Sequence, residues 1–388
     1  MARVQRGNSN PFVFARPLEP EELVDREDEL KLLAERLANG VNTRLSSPRD
    51  YGKTSLLHRA LADARTVGAG AVLVDLYGVR TPGQMAAQIE RAYEALPSKS
   101  FRTALTSLRR RGGGVGVQTP IAGASLAIGA GEAGERALLD ALDLPLQLHE
   151  KTGRPMLVAF DEFQVVLQAR LDALIRSVIQ HHGAGVTYVF SGSHPGMMLS
   201  LFADRRRSFY GQAAPLELDR LPRDALTDYV AKRFQQTGRD SGDALGWLLD
   251  LVDGHPQRAM LFAHLLWRHT DESVEAGEEA WLAAYEEAWD YLQGDFEATW
   301  DSLSRVEAGV VEAVAAGVQS LTGREGREIF GLPPGSAAHD AAMRLVEQGL
   351  LLRTGSGRKA ALQLVDPVFA RWVVFGRRWT PAGSFSGP

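Results

Sequence analysis

Residues 46–57 read SSPRDYGKTSLL, and this stretch decides the fold class. It follows a short β-type run and leads into a helical pattern that begins at Lys53. Backbone N–H groups at the start of such a helix can surround a phosphate, while a lysine adds charge and a hydroxyl can bind Mg²⁺. Gly52, Lys53 and Thr54 supply these parts. The segment therefore predicts a phosphate-binding loop, in which Ser47 stands where the usual pattern has its first glycine.

Short β-rich runs alternate with helical patterns through the first half of the chain. These runs are residues 41–46, 69–78, 155–163, 186–193 and 215–221. Such alternation is typical of a parallel sheet with helices on both faces. The sequence therefore predicts an α/β fold of the P-loop NTPase type.

Two further β runs end in polar side chains. The apolar run 156–160 ends in Asp161 and Glu162, and the run 186–190 is followed by Ser191 and Ser193. Carboxyl ends of parallel strands lie at one edge of the sheet, where ligands bind. We expect Asp161 to hold Mg²⁺ together with Thr54, Glu162 to activate the attacking water, and Ser193, slightly ahead of Ser191, to contact the γ-phosphate or that water.

The second half of the chain is mainly helical. Residues 222–294 show helical periodicity, and residues 303–388 show three helices followed by two β runs, the order of a winged helix. The predicted domains are an N-terminal arm (1–21), a P-loop ATPase core (22–221), a helical lid (222–301) and a winged-helix domain (302–388). Residues 112–134, with eight glycines and two alternating stretches, are predicted to be a β-hairpin insertion, or else an unstructured linker.

Composition excludes several classes of protein. The 388 residues contain no cysteine, which removes disulfides, thiolate nucleophiles and cysteine-based zinc sites and fits a reducing compartment. No apolar run is long enough to cross a membrane, so we expect a soluble cytoplasmic protein without a membrane partner. The net charge of −5 conceals a block at 271–301 with eleven acidic and no basic residues, so the rest of the chain is net positive.

Six segments in order give the chain a resemblance to the archaeal-type ATPase family, among the STAND and AAA+ relatives. They are LVDREDEL (23–30), SPRDYGKTSLL (47–57), LVAFDEFQ (157–164), VFSGSHPGMMLSLF (189–202), SFYGQAAPLELDRL (208–221) and DGHPQRAM (253–260). The resemblance extends from about residue 10 to residue 372. It implies an AAA+-like lid, a C-terminal winged helix, and ATP bound between the P-loop domain and the lid.

The resemblance also implies roles for individual residues. It gives Lys53 and Thr54 to the phosphates and Mg²⁺, Asp161 and Glu162 to the Walker B motif, and Arg26 to the surroundings of the base. We also expect nucleotide contacts from the loop and from the start of a lid helix: Pro48, Arg49, Asp50, Tyr51, Gly52, Ser55 and Pro256.

Two arginines are candidates for contact with the γ-phosphate. Arg207, in the run 205–207, lies where related ATPases place an arginine finger that reaches a neighbouring subunit, although such runs are more often solvated or bind an anion. Arg258, near the start of a predicted lid helix, resembles a sensor arginine, and a solvated residue at a helix start is the equal alternative.

The winged helix suggests double-stranded DNA, but its charges favour the wing over the recognition helix. The candidate recognition helix offers Arg344 beside two carboxylates, whereas the wing carries Arg353, Arg358 and Lys359. Docking of a protein partner or autoinhibition is the main alternative to DNA contact.

These observations predict an ATP-hydrolysing switch with slow turnover, which uses ATP and Mg²⁺ and passes its state to DNA or a protein through the winged helix. Slow turnover is expected because a side chain at Ser47 would strain the loop by roughly 1–2 kcal/mol if that position needed a positive φ. Two alternatives remain. One is a nucleotide-holding DNA-binding or scaffold protein with little turnover, and the other is a STAND-type signalling hub that forms homo-oligomers without DNA.

Overall fold

The computed structural model describes residues 9–111, 127–318, 320–354 and 361–377. Their contacts divide the chain into two compact units. The sheet unit comprises residues 19–47 and 53–218, and the helical unit comprises residues 9–18, 48–52 and 219 onward. Each unit is described on its own below.

The sheet unit is built on five parallel strands. They are β1 (Thr43–Ser46), β2 (Gly70–Asp75), β3 (Met156–Asp161), β4 (Val186–Gly192) and β5 (Ala214–Glu217). Their order in the sheet is β2-β3-β4-β1-β5, so the strand that leads into the phosphate-loop segment lies between β4 and β5. The α/β fold with a parallel sheet expected from the sequence is therefore confirmed.

Both faces of the sheet are buried, as the continuous apolar runs predict. Met156, Val158 and Phe160 of β3 belong to one hydrophobic cluster, and the intervening Leu157 and Ala159 belong to another. Side chains alternate between the faces of a strand, so the two clusters lie on opposite faces of the sheet. Because side chains are closely packed on both sides, a shift of β3 along the sheet would disturb both clusters, which holds Asp161 at the strand's end.

Eight helices belong to the sheet unit within the described ranges. They are α1 (Glu27–Ala38), α2 (Lys53–Thr66), α3 (Pro82–Glu94), α4 (Lys99–Arg111), α5 (Ala127–Thr152), α6 (Val165–Gln168), α7 (Asp172–Ile179) and α8 (Pro195–Ala203). Helix α2 begins at Lys53, as the loop motif predicts.

The glycine-rich segment differs from its prediction. Residues 127–134 form the first turns of α5 and not a β-hairpin, while residues 112–126 lie outside the described ranges. The glycine at the end of this stretch serves helix packing instead of a turn. A Cβ on Gly134 would lie 3.2 Å from the backbone nitrogen of Gly83 in α3, so a larger residue would require α3 and α5 to move apart by a few tenths of an ångström.

The helical unit begins with a strap formed by the N-terminal arm. Phe12 is buried against Tyr229 and Phe234, and its carbonyl oxygen lies 2.8 Å from Nδ1 of His264. The strap contacts the first, third and fourth of the four helices that follow in this unit. They are α9 (Arg223–Gln236), α10 (Ala244–Val252), α11 (Pro256–Arg268) and α12 (Glu278–Asp301).

The last part of the helical unit has its elements in the order of a winged helix. They are α13 (Arg305–Ala315), α14 (Arg324–Glu328), α15 (Ala337–Glu347), the antiparallel pair β6 (Leu351–Thr354) and β7 (Ala361–Leu364), and α16 (Pro367–Val374). Sequence patterns predicted all of these except α16. Over the part of the chain that the structure describes, no helix is long and apolar enough to cross a bilayer.

Candidate active site

The ends of β3 and β4 bring polar side chains to the start of α2. Thr54 Oγ1 donates a 2.8 Å hydrogen bond to Oδ2 of Asp161, and Ser191 Oγ donates a 2.8 Å bond to Oδ1 of the same carboxylate. Asp161 and Ser191 are buried, so these bonds are not exposed to competition from bulk water. The structure thus joins the two side chains predicted to bind Mg²⁺, although they are 107 residues apart in sequence.

Lys53 lies at the first position of α2 and is almost fully buried. Its ammonium donates a 3.0 Å hydrogen bond to the carbonyl oxygen of Ser47. A buried ammonium is costly unless its hydrogens are bonded, and this bond holds the ammonium of Lys53 at Ser47. The positive end of the α2 dipole adds to its charge, so both favour an anion at this place.

The phosphate-loop segment places its strained backbone away from Ser47. The residues with positive φ in the segment are Asp50, at +65°, and Gly52, at +84°, and Ser47 is not among them. The strain considered for a side chain at Ser47 therefore has no basis in the backbone. The left-handed backbone at Asp50 costs about 1–2 kcal/mol, which is similar to the strain considered for Ser47.

Glu162 directly follows β3 and has a backbone conformation that non-glycine residues usually avoid. Its φ is +55°, and non-glycine residues held in this region cluster at functional sites. Ser193 Oγ donates a 2.8 Å hydrogen bond to Oε2 of Glu162, and the side-chain amide of Gln164 donates to the same oxygen. The predicted base and Ser193 are therefore brought together. Ser191 bonds Asp161 instead, so each predicted serine is assigned to its own carboxylate.

Arg26 and Ser55, two further residues predicted to contact the nucleotide, are both buried in the sheet unit. Arg26 is buried at the start of α1 with a φ of +83°, and it forms a 2.9 Å ion pair with Glu29. Ser55 is buried in the first turn of α2. Neither observation tests a role near the nucleotide base or phosphates, so both assignments stay predictions.

Arg207 is exposed in the connection between α8 and β5. Its backbone N–H donates to the carbonyl of Asp204, whose side chain is bonded by Arg206. An arginine finger acts on a neighbouring subunit, and a single chain cannot test it. The finger therefore stays a prediction.

The remaining predicted loop residues belong to the helical unit: Pro48, Arg49, Asp50, Tyr51 and Gly52. Tyr51 is almost fully buried there. Its hydroxyl donates a 3.2 Å hydrogen bond to the carbonyl of Val365, and its ring lies 5.1 Å from the ring of His255. Burial raises the pKa of Tyr51, which keeps the phenol a neutral donor.

Arg258 is held by the segment that precedes α16. Its Nε and one of its two terminal nitrogens, Nη2, both donate to Oδ2 of Asp366, at 2.9 and 2.6 Å. Both side chains are largely buried. Burial, the largest single effect, would raise the pKa of Asp366, but the charges of Arg258 and His255 and the hydrogen bonds from Arg258 and the Phe369 backbone together outweigh it, and the pKa lies below its usual range. Pro256 occupies the first turn of the same helix. The structure does not test the sensor role of Arg258, but it shows an ionic partner that the sequence did not reveal.

His255 caps the helix that carries Arg258, and it is buried. Its Nδ1 accepts a 3.3 Å hydrogen bond from the backbone N–H of Arg258. Burial lowers the pKa of His255 to about 4, against an opposing effect of Asp366 and with a smaller lowering by Arg258 and Arg220. The cap needs the neutral ring, because a protonated Nδ1 cannot accept this bond.

We predict that His255 makes the helical unit lose stability between pH 6.5 and pH 4. In this window the unfolded histidine binds a proton and the folded one does not, so the free energy of unfolding falls as the pH falls, by up to about 1.4 kcal/mol per pH unit. Urea unfolding can be followed by tryptophan fluorescence, since all seven tryptophans lie after residue 246 and the six that the structure describes belong to the helical unit. Asparagine keeps a cap acceptor, so His255→Asn should have a shallower pH dependence than the wild type. Equal pH dependences would contradict the prediction.

Sequence reasoning missed two residues of these clusters. Gln164 was visible in the segment DEFQ, two positions after Glu162, but a glutamine carries no charge or pattern that marks it as part of a site. Asp366 begins a helix that the patterns did not predict, and its side chain caps that helix through the backbone N–H groups of Val368 and Phe369. An aspartate followed by proline is a helix-start signal that could have revealed it.

Comparisons with known proteins identify the fold. No family model matches the sequence, and no curated protein is similar enough to count as a relative. The Walker-type ATPase of Pyrococcus abyssi is a similar solved structure, with a TM-score of 0.69 at 18% identity over 92% of this chain and 98% of that one. The Aeropyrum pernix ORC2 protein, in its ADPNP–ADP complexes, has a TM-score of 0.56 at 16% identity over 93% of this chain and 95% of that one.

These likenesses confirm the fold that the resemblance implied. The chain has the α/β architecture of the Pyrococcus abyssi Walker-type ATPase and of the Aeropyrum pernix ORC2 protein. At this level of identity the comparison is one of fold, and the function must be argued from the residues of the site.

Proposed function

We propose that this protein binds ATP and hydrolyses it to ADP and phosphate. The observation that carries the proposal is the hydrogen bond between Thr54 and Asp161, with Glu162 next in the chain and Lys53 next to Thr54. It unites the hydroxyl and lysine of a phosphate-binding loop with two strand-end carboxylates, the combination that phosphoryl transfer to water requires.

Lys53 and the start of α2 are the groups that would bind the phosphates. The ammonium now donates to the Ser47 carbonyl, and a phosphate oxygen is a stronger acceptor for the same hydrogens. Gly52, with its positive φ and nothing within 4 Å of the place where a Cβ would lie, leaves the backbone open to close approach. A phosphate could therefore approach the backbone here without a large change in the conformation of the chain.

The oxygens of Thr54 and Asp161 fit Mg²⁺. Hard oxygen donors are the ligands this ion prefers, and it usually takes only one or two from the protein and the rest from phosphates and water. When bound, Mg²⁺ would neutralise charge on the phosphate oxygens. Ser191 keeps the Asp161 carboxylate oriented by its bond to Oδ1.

Glu162 is the residue that would accept the proton of the attacking water. Ser193 and Gln164 both bond Oε2, and among the described residues no hydrogen bond to Oε1 is formed, which leaves Oε1 as the oxygen for the proton. Its left-handed backbone costs about 1–3 kcal/mol, which is typical of residues whose orientation serves chemistry. Slow turnover stays part of the proposal, without the support that strain at Ser47 would have given it.

Glu162→Gln is expected to lower the rate of ATP hydrolysis by about 10²- to 10⁴-fold and to leave ATP affinity nearly unchanged. Glutamine has the same shape but cannot take the proton, and general base catalysis contributes rate factors of this size. Phosphate release and calorimetric titration with ATP measure the two quantities separately.

Glu150→Gln is the matched control, because Glu150 is an exposed glutamate on α5 of the same unit. It should behave as the wild type in both measurements. A Glu162→Gln protein that hydrolyses ATP at the wild-type rate would overturn the assignment of the base. A wild-type protein that binds ATP and releases no phosphate would favour the alternative of a nucleotide-holding scaffold.

The output of the switch would pass through the winged helix, and the charges there favour the wing as the part that contacts DNA. Arg344, the arginine of the recognition helix α15, forms a 3.2 Å ion pair with Glu307 and is thereby partly neutralised. Arg353 on β6 is exposed. The other wing cations, Arg358 and Lys359, lie outside the described residues. Phosphate contacts supply most non-specific affinity for DNA, so a small basic wing would give weak, salt-dependent binding.

Phosphate release with and without duplex DNA separates the possible outputs. Stimulation that disappears in Arg353→Ala would support coupling to DNA through the wing. A rate indifferent to DNA, together with nucleotide-dependent oligomers in light scattering, would support the STAND-type signalling hub instead.

A further inference from the structure

Gln164 lies two residues after the proposed base and contacts it directly. Its side-chain amide donates to Oε2 of Glu162, and Nε2 also lies 3.3 Å from Ser193 Oγ and 3.2 Å from His194 Nδ1. Ser193 Oγ lies 3.2 Å from the same imidazole nitrogen. Two donors, from the ends of β3 and β4, thus converge on one carboxylate oxygen, and the His194 ring lies beside both donors.

The fold keeps Gln164 in this place at a cost. The side chain is 4% exposed, and within the described residues its Oε1 has no hydrogen-bond partner. A buried acceptor without a partner costs about 1–3 kcal/mol, and such groups in folded proteins call for an explanation in function or strain. A glutamine that served only to fill space could be replaced by an apolar side chain of the same size without that cost.

Gly192, the last residue of β4, provides the room for this side chain. A Cβ at Gly192 would lie 2.5 Å from Oε1 of Gln164 and would also collide with the sulfur of Met198. The φ of Gly192 is not positive, so the backbone does not require glycine here. The need is for space, and the Gln164 amide and the Met198 side chain share that space.

We propose that Gln164 is a positioning residue for hydrolysis, which fixes the carboxylate of Glu162 by a hydrogen bond to Oε2. This inference rests on the proposed function and adds a residue to it. Ser193 alone leaves the carboxylate free to rotate about a single bond. A second donor from another direction fixes the plane of the group, so that Oε1 keeps its place for the proton of the attacking water.

The test replaces the amide and keeps the size of the side chain. Gln164→Met is expected to lower kcat by about 10- to 100-fold, in line with the cost of misplacing a reacting group by an ångström, and to leave KM and the calorimetric affinity for ATP unchanged. Gln164→Glu, which has the right shape but sets a second carboxylate against Glu162, should show the same split. A role in packing alone would give normal kcat in both variants, because both preserve the volume.

Gln180→Met is the matched control, since Gln180 is an exposed glutamine at the end of α7 whose amide bonds the carbonyl of Ser177. It should have wild-type kcat, and thermal unfolding of all variants will show that each is folded. Wild-type kcat in Gln164→Met, or a rise in KM that accounts for the whole loss, would overturn the positioning role while the ATPase proposal stands. A wild-type protein that binds ATP but releases no phosphate would remove both.

Discussion

An alanine at position 53 is expected to weaken ATP binding by about 10- to 100-fold. Hydrogen bonds to charged groups contribute about 1.5–3 kcal/mol, and 1.4 kcal/mol is a tenfold change in affinity. Lys53 is buried at the first position of α2, so its charge acts on a bound phosphate with little screening by solvent. Calorimetric titration of the Lys53→Ala protein with ATP and Mg²⁺ measures the effect directly.

The control for this variant is Lys31→Ala, which removes an exposed lysine from α1 of the same unit. It should bind ATP with wild-type affinity. Lys53→Met separates charge from burial, because it keeps the length of the apolar stem and should lose affinity to the same extent as alanine. ATP binding that is unchanged in both Lys53 variants would remove the nucleotide site from this end of α2, and the ATPase proposal with it.

The sequence was sufficient to predict which strands end at the site. Apolar runs buried on both faces have their register fixed by the core, so the residues that follow them must lie at the carboxyl edge of the sheet. Asp161 and Ser193 were placed by this argument alone. The hydrogen bond of Ser193 to Glu162 joins the ends of the neighbouring strands β4 and β3, whereas Thr54, in the helix that follows β1, bonds Asp161 across the end of β4.

The sequence did not reveal which polar side chains take each other as partners. Gln164 and Arg258 both have flexible side chains, and local patterns do not specify where such chains find an acceptor several ångströms away. The bond of Arg258 depends on Asp366, which is 108 residues further along the chain. The described end of the glycine-rich segment, residues 127–134, was misread for a related reason: Gly134 packs closely against the neighbouring helix α3, and a turn gives the same sequence signal.

The Arg258–Asp366 ion pair is expected to make a large contribution to the stability of the helical unit. Both side chains are about 85% buried, with exposed fractions of 14% and 15%. Loss of one partner leaves the other charged and buried, which costs about 3–5 kcal/mol. Arg258→Met and Asp366→Ala should each lower the free energy of unfolding by about this amount in urea, as followed by tryptophan fluorescence. Asp366→Asn should cost less than Asp366→Ala, because the amide oxygen can still cap α16.

A double-mutant cycle shows whether the pair itself is responsible. The Arg258→Met, Asp366→Asn double variant should be destabilised by clearly less than the sum of the two single variants, since removal of both partners leaves no unpaired charge. The exposed Arg324–Glu328 pair of α14 is the control, with side chains 85% and 61% exposed, and its cycle should give less than about 1 kcal/mol.

The same measurement bears on the sensor role predicted for Arg258. Nε and one terminal nitrogen of its guanidinium are committed to Asp366, so an arginine that turned to a γ-phosphate would first have to break both hydrogen bonds. A large coupling energy would therefore oppose the sensor role, because the free energy of ATP binding would have to offset the loss of the Arg258–Asp366 pair. A coupling energy near zero would contradict the predicted strength of the pair and would leave Arg258 available to the nucleotide.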